Sequence, residues 1–323
     1  MPRVSLAEAE ARVAAVLERA NTSPANAASV ARALVTAEAE GLRGHGLSRL
    51  ASYAAQARSG KVDGHAAPTL ARPRPGVLAI DAAHGFAYPA LDLAVATLPA
   101  AARACGIATA PIRRSHHCGA AGHTVERLAG EGLVALLFAN TPAAIAPWGG
   151  TQAVFGTNPI AFACPLPGRA PLVIDLSLSK VARGNLLAAQ QRGEAIPDDW
   201  AFDASGQPTT DPAAGLAGTM APLGGVKGTA LALMVELLAA GLTGAVYASD
   251  ASSFLDADGP PPGTGQLILA LDPAALGGSP EHLRELAVSI ESQSGARLPG
   301  TRRAALREAA ARDGIEVPDS LLA

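Results

Sequence analysis

Three of the seven histidines fall in one ten-residue run, Arg114-Ser115-His116-His117-Cys118-Gly119-Ala120-Ala121-Gly122-His123. Histidine is the side chain best suited to move protons near neutral pH. The run follows an apolar, strand-like segment from Ile107 to Arg113 and ends in small residues. Small residues let backbone N–H groups approach a ligand closely. Basic, titratable and small groups together suit an anion-handling site. They equally suit a polar turn with exposed histidines. As a metal site the run is poor, because it has no matching partner cluster and adjacent residues seldom ligate one ion. No metal is expected.

A second constellation is Gly41-Leu42-Arg43-Gly44-His45-Gly46-Leu47-Ser48-Arg49. His45 sits between glycines, and Arg49 lies four residues on. On a helical or near-helical path the two share a face. That pairs a proton carrier with a planar fork that binds a carboxylate bidentately. A surface loop before an ordinary helix is the alternative. Gly156-Thr157-Asn158-Pro159 offers a hydroxyl and an amide beside a glycine, which is also ordinary turn chemistry. Val173-Ile174-Asp175-Leu176-Ser177-Leu178-Ser179 ends a strand with an acid and hydroxyls, suited to ribose or to structural capping. Gly225-Val226-Lys227-Gly228-Thr229 lacks the P-loop order, yet glycines and a lysine at a helix start suit a phosphate. No Gly-x-Gly-x-x-Gly follows a strand, so no Rossmann fingerprint is present.

The elements that must position these groups are α/β in organisation. The first sixty residues read as helices, starting at the capping box Ser5-Leu6-Ala7-Glu8 and at Ser23-Pro24, with a third helix from about Leu47 to Arg58. Short apolar runs follow: Val77 to Asp81, Ile107 to Ile112, Leu133 to Asn140, Ile160 to Cys164 and Leu172 to Asp175. A Pro-, Asp- and Gly-rich stretch from Ile196 to Leu223 reads as a lid or binding loop. An apolar helix from Gly224 to Gly241, a strand from Gln266 to Leu271 and helices from Pro280 to Ser292 and Thr301 to Arg312 complete the chain.

At 323 residues, 49% apolar and 16% charged, the chain fits a soluble globular protein of two domains, or of one domain with an elaborated cap. The net charge of −3 leaves no electrostatic footprint for nucleic acid or an anionic membrane. Three cysteines, Cys105, Cys118 and Cys164, make no disulfide framework. With no signal-like start at Met1-Pro2-Arg3-Val4-Ser5 and no spanning apolar run, a cytoplasmic protein is expected.

Taken in order, these segments resemble the type-2 malate/L-lactate dehydrogenase family over nearly the whole chain. The resemblance rests on Arg43-Gly44-His45-Gly46, Ser115-His116-His117-Cys118-Gly119, Pro147-Trp148-Gly149-Gly150 and Gly156-Thr157-Asn158-Pro159. Asp175-Leu176-Ser177-Leu178-Ser179, Lys227-Gly228 and Arg297-Leu298-Pro299-Gly300 extend it. It implies a mixed α+β fold with a non-Rossmann dinucleotide-binding domain and a largely antiparallel or mixed sheet. The implied domains are a helical one over 1–60 joined by a C-terminal helix over 300–323, a core over 61–130 and 280–299, and a cofactor domain over 131–279. The implied activity is NAD- or NADP-dependent reduction of a small 2-oxo acid or cyclic 2-imino acid by a homodimer.

The resemblance makes His45 the proton donor and Arg49 the carboxylate clamp, with Thr157 facing the substrate. His117 matches a proton acceptor of the ureidoglycolate branch. Cofactor contacts are expected from His117, Cys118, Gly119, Ala120 and Ala121, from Thr141, and from Val173, Ile174, Asp175, Leu176, Ser177, Leu178 and Ser179. Val226, Lys227, Pro299 and Gly300 complete that set. Two positions depart from the imino-acid reductase branch, where a Ser, the His and an Asp form a relay. Gly44 stands at the Ser and Asn185 at the Asp. Asn185 can orient an imidazole but stabilises its charged form less than a carboxylate does. A relative that binds dinucleotide without efficient turnover is therefore the alternative expectation, and a metal-dependent hydrolase is disfavoured by the lack of acidic clusters.

Overall fold

The computed structural model describes residues 2–318 and 321. In chain order the elements begin β1 (Arg3–Val4), α1 (Leu6–Glu18), α2 (Pro24–Ala39), α3 (Leu50–Ser59), β2 (Thr69–Arg74) and β3 (Val77–Asp81). They continue α4 (Ala87–Cys105), β4 (Ile107–Ser115), α5 (Ala121–Gly130), β5 (Val134–Ala139), β6 (Ile160–Cys164), β7 (Leu172–Leu176) and α6 (Arg183–Arg192). They end β8 (Ala201–Phe202), α7 (Pro212–Ala217), β9 (Thr219–Met220), α8 (Val226–Glu236), β10 (Thr264–Leu271), α9 (Pro280–Glu291), α10 (Thr301–Asp313) and β11 (Ile315–Glu316).

The helix starts follow from side-chain capping. The hydroxyls of Ser5, Ser23 and Ser279 accept from the backbone N–H groups of Glu8, Asn26 and His282. Gly60 ends α3 at φ 81°, a conformation that only glycine adopts without strain. The closing helix expected over 300–323 stops at Asp313, because Gly314 turns at φ 72° into β11. That strand pairs with β1 and ties the two ends together. Residues 1, 319, 320, 322 and 323 lie outside the described set, so the end of that expectation falls there.

Seven strands form one sheet in the order β2-β3-β4-β10-β5-β6-β7. Only β3 and β4 are parallel, joined through α4, and the other neighbours are antiparallel. This is the mixed, largely antiparallel sheet that the sequence implies. It runs without a break across position 130, where separate core and cofactor domains were expected. Side chains alternate between its two faces. Ala135, Leu137 and Ala139 of β5, with Ile268 and Ala270 of β10, join the core built with α1 to α5. Phe138 and Leu267 face the other way, toward Val235 and Ala239 of α8 and the π-turn that follows it. The 196–223 stretch holds α7 and the β8–β9 pair, with Ile196, Ala201 and Met220 buried, so it is a packed layer as well as a loop.

A buried carboxylate joins the second core to the loops above it. Glu236 of α8 is 4% exposed. It accepts from Asn140 Nδ2 at 3.0 Å, Asn158 Nδ2 at 2.8 Å and the Ala248 N–H at 2.7 Å. Glu236→Ala strands three donors, and an unsatisfied buried donor costs about 1–3 kcal/mol. A loss of at least about 3 kcal/mol is expected in urea unfolding, with Glu236→Gln milder because it keeps one acceptor.

Candidate active site

The histidine run acquires its direction where β4 leaves the sheet. Its pairing with β10 shifts register between Thr264 and Gln266, and Arg114 turns at φ 49°. Such irregularities re-aim the chain at strand ends. His116 and His117 therefore turn inward under α3. Gln266 Nε2 donates to the His116 carbonyl at 3.1 Å, and His116 Nε2 meets Gln56 Oε1 at 2.8 Å.

His45 arrives from the opposite side, on a 3-10 turn over Arg43–His45. Glu38 of α2 holds the turn by accepting from the Leu47 N–H at 2.9 Å. A Cβ at Gly46 would strike that carboxylate and stand 3.1 Å from the Glu38 backbone, so the glycine is a close-approach position. The His45 ring stacks on His117, with centroids 5.2 Å apart and planes within 12°. Arg49 lies beside them. Its Nε donates to the Gly44 carbonyl at 2.7 Å, and no carboxylate pairs with it among the described residues. Its two terminal nitrogens are free to fork onto a ligand carboxylate.

Burial and the Arg49 charge keep these rings neutral. His45 is pushed down to about 4, first by burial and then by Arg49 and His123. His116 falls to about 3 through burial, Lys61 and Arg49. Burial and Arg49 also hold His117 well below its ordinary value. Cys118 is pushed up to about 12 by burial, so its thiol is no nucleophile.

Several neighbours carried no signal in the sequence. Tyr53 lies four residues after Arg49 on α3, a spacing that could have marked it. Its hydroxyl is 2.6 Å from His117 Nδ1 and 3.2 Å from the hydroxyl of Tyr88. Phe254 packs on His116 and His117, at 4.9 and 5.3 Å between centroids. Gln56 Nε2 fixes the Phe254 carbonyl at 2.9 Å, and buried Lys61 pairs with Asp256 at 3.0 Å. Nothing local in the sequence points to that distant loop.

The remaining expected residues divide into groups. His123 turns away from its neighbours in the run and meets Glu40 at 2.9 Å, and Glu40 also accepts from Arg307. Thr141 and Thr157 stand together, with hydroxyls 3.3 Å apart and the Thr157 N–H donating to Thr141 at 2.9 Å. Asp175 accepts from the Gly122 N–H at 2.8 Å, and Arg303 lies 3.9 Å from it. Gly300 approaches Val173 closely enough that a Cβ would sit 3.3 Å from its carbonyl. Ile174 pairs with Phe162 within the sheet, Leu176 is exposed and Leu178 is buried. The hydroxyls of Ser177 and Ser179 meet at 2.7 Å. Val226 and Lys227 are exposed at the start of α8. Asn185 is exposed in the first turn of α6, and its backbone N–H bonds Ala182. No hydrogen bond joins it to His45.

Two cavities adjoin at Glu126 and Arg307. One, of about 480 Å³, is lined by Tyr88, Cys118, Ala120 and His123. The other, of about 290 Å³, is lined by Val173, Pro299, Gly300 and Arg303. Five of the expected dinucleotide contacts, Cys118, Ala120, Val173, Pro299 and Gly300, thus border two neighbouring hollows. Asp175 offers an acceptor for ribose hydroxyls, and Arg303, loosely paired, offers a donor for phosphate. These groups fit a dinucleotide. Among the described residues no cluster of three or more His, Cys, Asp or Glu could hold a metal.

Neutral imidazoles beside an unpaired arginine suit proton transfer to a carboxylate, and the similar proteins put the chain among the NAD(P)-dependent oxidoreductases. The family model for malate/L-lactate dehydrogenase matches residues 4–323, and the chain belongs to that family. It is 51% identical over 322 residues to a (2R)-3-sulfolactate dehydrogenase (NADP(+)) of Chromohalobacter salexigens, covering 99% of this chain and 96% of the relative. It is 41% identical to a Δ1-pyrroline-2-carboxylate reductase of Ancylobacter novellus, over 99% of this chain and 96% of the relative. Its structure matches that of a Δ1-piperideine-2-carboxylate reductase from Pseudomonas syringae with TM-score 0.94 and 36% identity, covering 100% of this chain and 98% of the other.

The neutral rings set a pH dependence for stability. Below the ordinary histidine value of 6.5, the unfolded chain binds protons at positions 45, 116 and 117 that the folded chain refuses. Stability from these rings is fully present above that value and drains as pH falls toward about 4 for His45 and about 3 for His116. Each ring costs at most about 1.4 kcal/mol per pH unit in this window. Urea midpoints should stay nearly level from pH 7.5 to 6.5 and fall from there to pH 4.5, and His116→Gln should flatten that fall.

Proposed function

We propose that this protein reduces a small 2-oxo acid to its 2-hydroxy acid with NADPH or NADH, and runs the reverse oxidation. 3-Sulfolactate and its 2-oxo counterpart are the first substrates to test. The unpaired guanidinium of Arg49 beside the stacked His45 and His117 is the observation behind this reading. It leaves a cation, two imidazoles and no internal anion where a carboxylate would dock.

When bound, the dinucleotide supplies the hydride for C2 of the substrate. It is held by His117 to Ala121, Thr141, Val173 to Ser179, Val226 and Lys227, and Pro299 and Gly300. Arg49 forks onto the carboxylate, and Thr157 faces the substrate. His45 gives the proton to the oxygen. The free ring is neutral, and Arg49 is one cause of that. A carboxylate on Arg49 cancels its charge, so His45 binds its proton more readily when substrate arrives. Reduction is therefore favoured on the acidic side, where that proton is available.

A cyclic 2-imino acid is the second reading, favoured by the relatives that act on such compounds. Gly44 and Asn185 weigh against it, because neither supplies the hydroxyl or carboxylate of a relay. A binder with little turnover is the remaining alternative. An NADH and NADPH oxidation screen over 2-oxo acids and both cyclic imino acids separates the three.

The protein is also read as a cytoplasmic homodimer. Among the described residues no helix is long and apolar enough to cross a membrane. On α8 and the π-turn after it, Leu233, Met234 and Leu237 form an exposed stripe, continued by Leu242 at 71% exposure. Such a stripe suits a second copy better than water. Leu237→Glu is expected to shift light-scattering mass from dimer to monomer.

His45→Ala should lower kcat by ~10²–10⁴-fold with dinucleotide binding little changed. Arg49→Lys should instead raise KM for the carboxylate substrate at least tenfold, because a point charge replaces a fork; about 1.4 kcal/mol corresponds to that factor. Steady-state kinetics on the best substrate of the screen checks both, and a wild-type kcat or KM in either variant removes that residue from its role.

A further inference from the structure

Tyr53 and Tyr88 form a buried pair with no part in the mechanism above. Tyr53 is fully buried and Tyr88 is 6% exposed. They come from α3 and α4, and Tyr53 meets the edge of the His117 ring whose face stacks on His45. Each hydroxyl has one hydrogen to give. The Tyr88 hydroxyl has no acceptor among the described residues except the Tyr53 oxygen, at 3.2 Å. With Tyr88 donating to Tyr53, the Tyr53 hydrogen goes to His117 Nδ1, at 2.6 Å. A neutral imidazole that accepts at Nδ1 holds its own hydrogen on Nε2.

We propose that Tyr53 and Tyr88 are positioning residues that fix His117 in the tautomer with its hydrogen on Nε2, making the ring a hydrogen-bond donor to the carbonyl oxygen of a 2-oxo acid. This rests on the reaction class proposed above and narrows it. His117 Nε2 has no partner among the described residues, and it is not among the buried unpartnered nitrogens, so it remains open to a ligand. The ring is held neutral by burial and by Arg49. A neutral N–H donor strengthens its bond as negative charge grows on the carbonyl oxygen during hydride addition. The proton that finally resides on that oxygen comes from His45, and His117 keeps its own. The same N–H has nothing to offer a protonated imine nitrogen, which is itself a donor. The tautomer thus favours 2-oxo acids over cyclic imino acids, in the same direction as Gly44 and Asn185. The acceptor role implied for His117 by the family resemblance would need a bare Nε2 and the opposite run of hydrogens.

The test is ¹⁵N NMR of the histidine-labelled full chain, with His117 assigned by loss of its signals in His117→Asn. The expected spectrum has a bare Nδ1 and a protonated Nε2. Tyr53→Phe removes the donor to Nδ1. It should mix the tautomers and lower kcat on the best 2-oxo acid about tenfold, with KM within about twofold. That is less than the ~10²–10³-fold cost of deleting such a donor outright. Tyr88→Phe leaves Tyr53 in place without its fixed direction and should shift the spectrum and kcat the same way by a smaller factor. A wild-type ring with its hydrogen on Nδ1 overturns the proposal, as does a wild-type kcat in both variants. A lower kcat with an unchanged tautomer also overturns it. If Tyr53→Phe does not fold, the wild-type spectrum and Tyr88→Phe decide. A wild-type protein that turns over no 2-oxo acid defeats the reaction class instead, and the spectrum then reports the tautomer alone.

Discussion

A positive charge without an internal counterion organises this molecule. Arg49 is beside three imidazoles, and no carboxylate pairs with it among the described residues. A cation in a partly buried place is costly unless something offsets it. The fold supplies a carbonyl dipole, that of Gly44, and leaves the two outer nitrogens to a ligand. The same charge helps to strip protons from His45, His116 and His117. The free site is thus neutral in its rings, cationic at its clamp and built to take an anion. On the proposed mechanism, docking of that anion would change the charge balance of every ring nearby, and binding and proton delivery would be one electrostatic event.

The arrangement is held by buried polar groups on several elements. Gln56 bonds His116 with its carbonyl oxygen and the Phe254 backbone with its amide, clamping two distant segments to α3. Lys61 and Asp256 repeat that link a few residues on. Glu38 fixes the turn that presents His45, and Glu236 gathers Asn140, Asn158 and Ala248 beneath Thr141 and Thr157. Buried polar groups of this kind are expensive to leave half satisfied. They therefore specify one arrangement of loops that hydrophobic packing alone would leave loose.

The altered pair at Gly44 and Asn185 gains meaning in this setting. A Cβ at Gly44 would meet nothing within 4 Å, so the glycine is no packing requirement. Its effect is chemical: it withholds a hydroxyl from a site whose His45 Nδ1 is buried without a partner. With no acid bonded to His45 among the described residues, the proposed mechanism ties its proton to the substrate anion on Arg49.

Periodicity, caps and glycines made most elements legible in the sequence. Ser5 and Ser23 started helices, Gly60 stopped one, and Ile160 to Cys164 formed a strand, because these effects act within a few residues. His45 and Arg49 stood out by type and spacing, although two 3-10 turns broken at Gly46, and not one helical path, bring the Arg49 charge near His45. The resemblance to a dehydrogenase family supplied the reaction class and the mixed sheet. What lay out of reach was long-range. The stack of His45 on His117, the Tyr53–Tyr88 pair behind it and the Phe254 loop join residues 35 to 198 positions apart. The departure of His123 toward Glu40 and Arg307 could not be read from a run that placed it beside His117. Strand register, the packing of α3 on α1 and that of α5 on the sheet determine those meetings, and side-chain geometry across such distances exists only once the chain has folded.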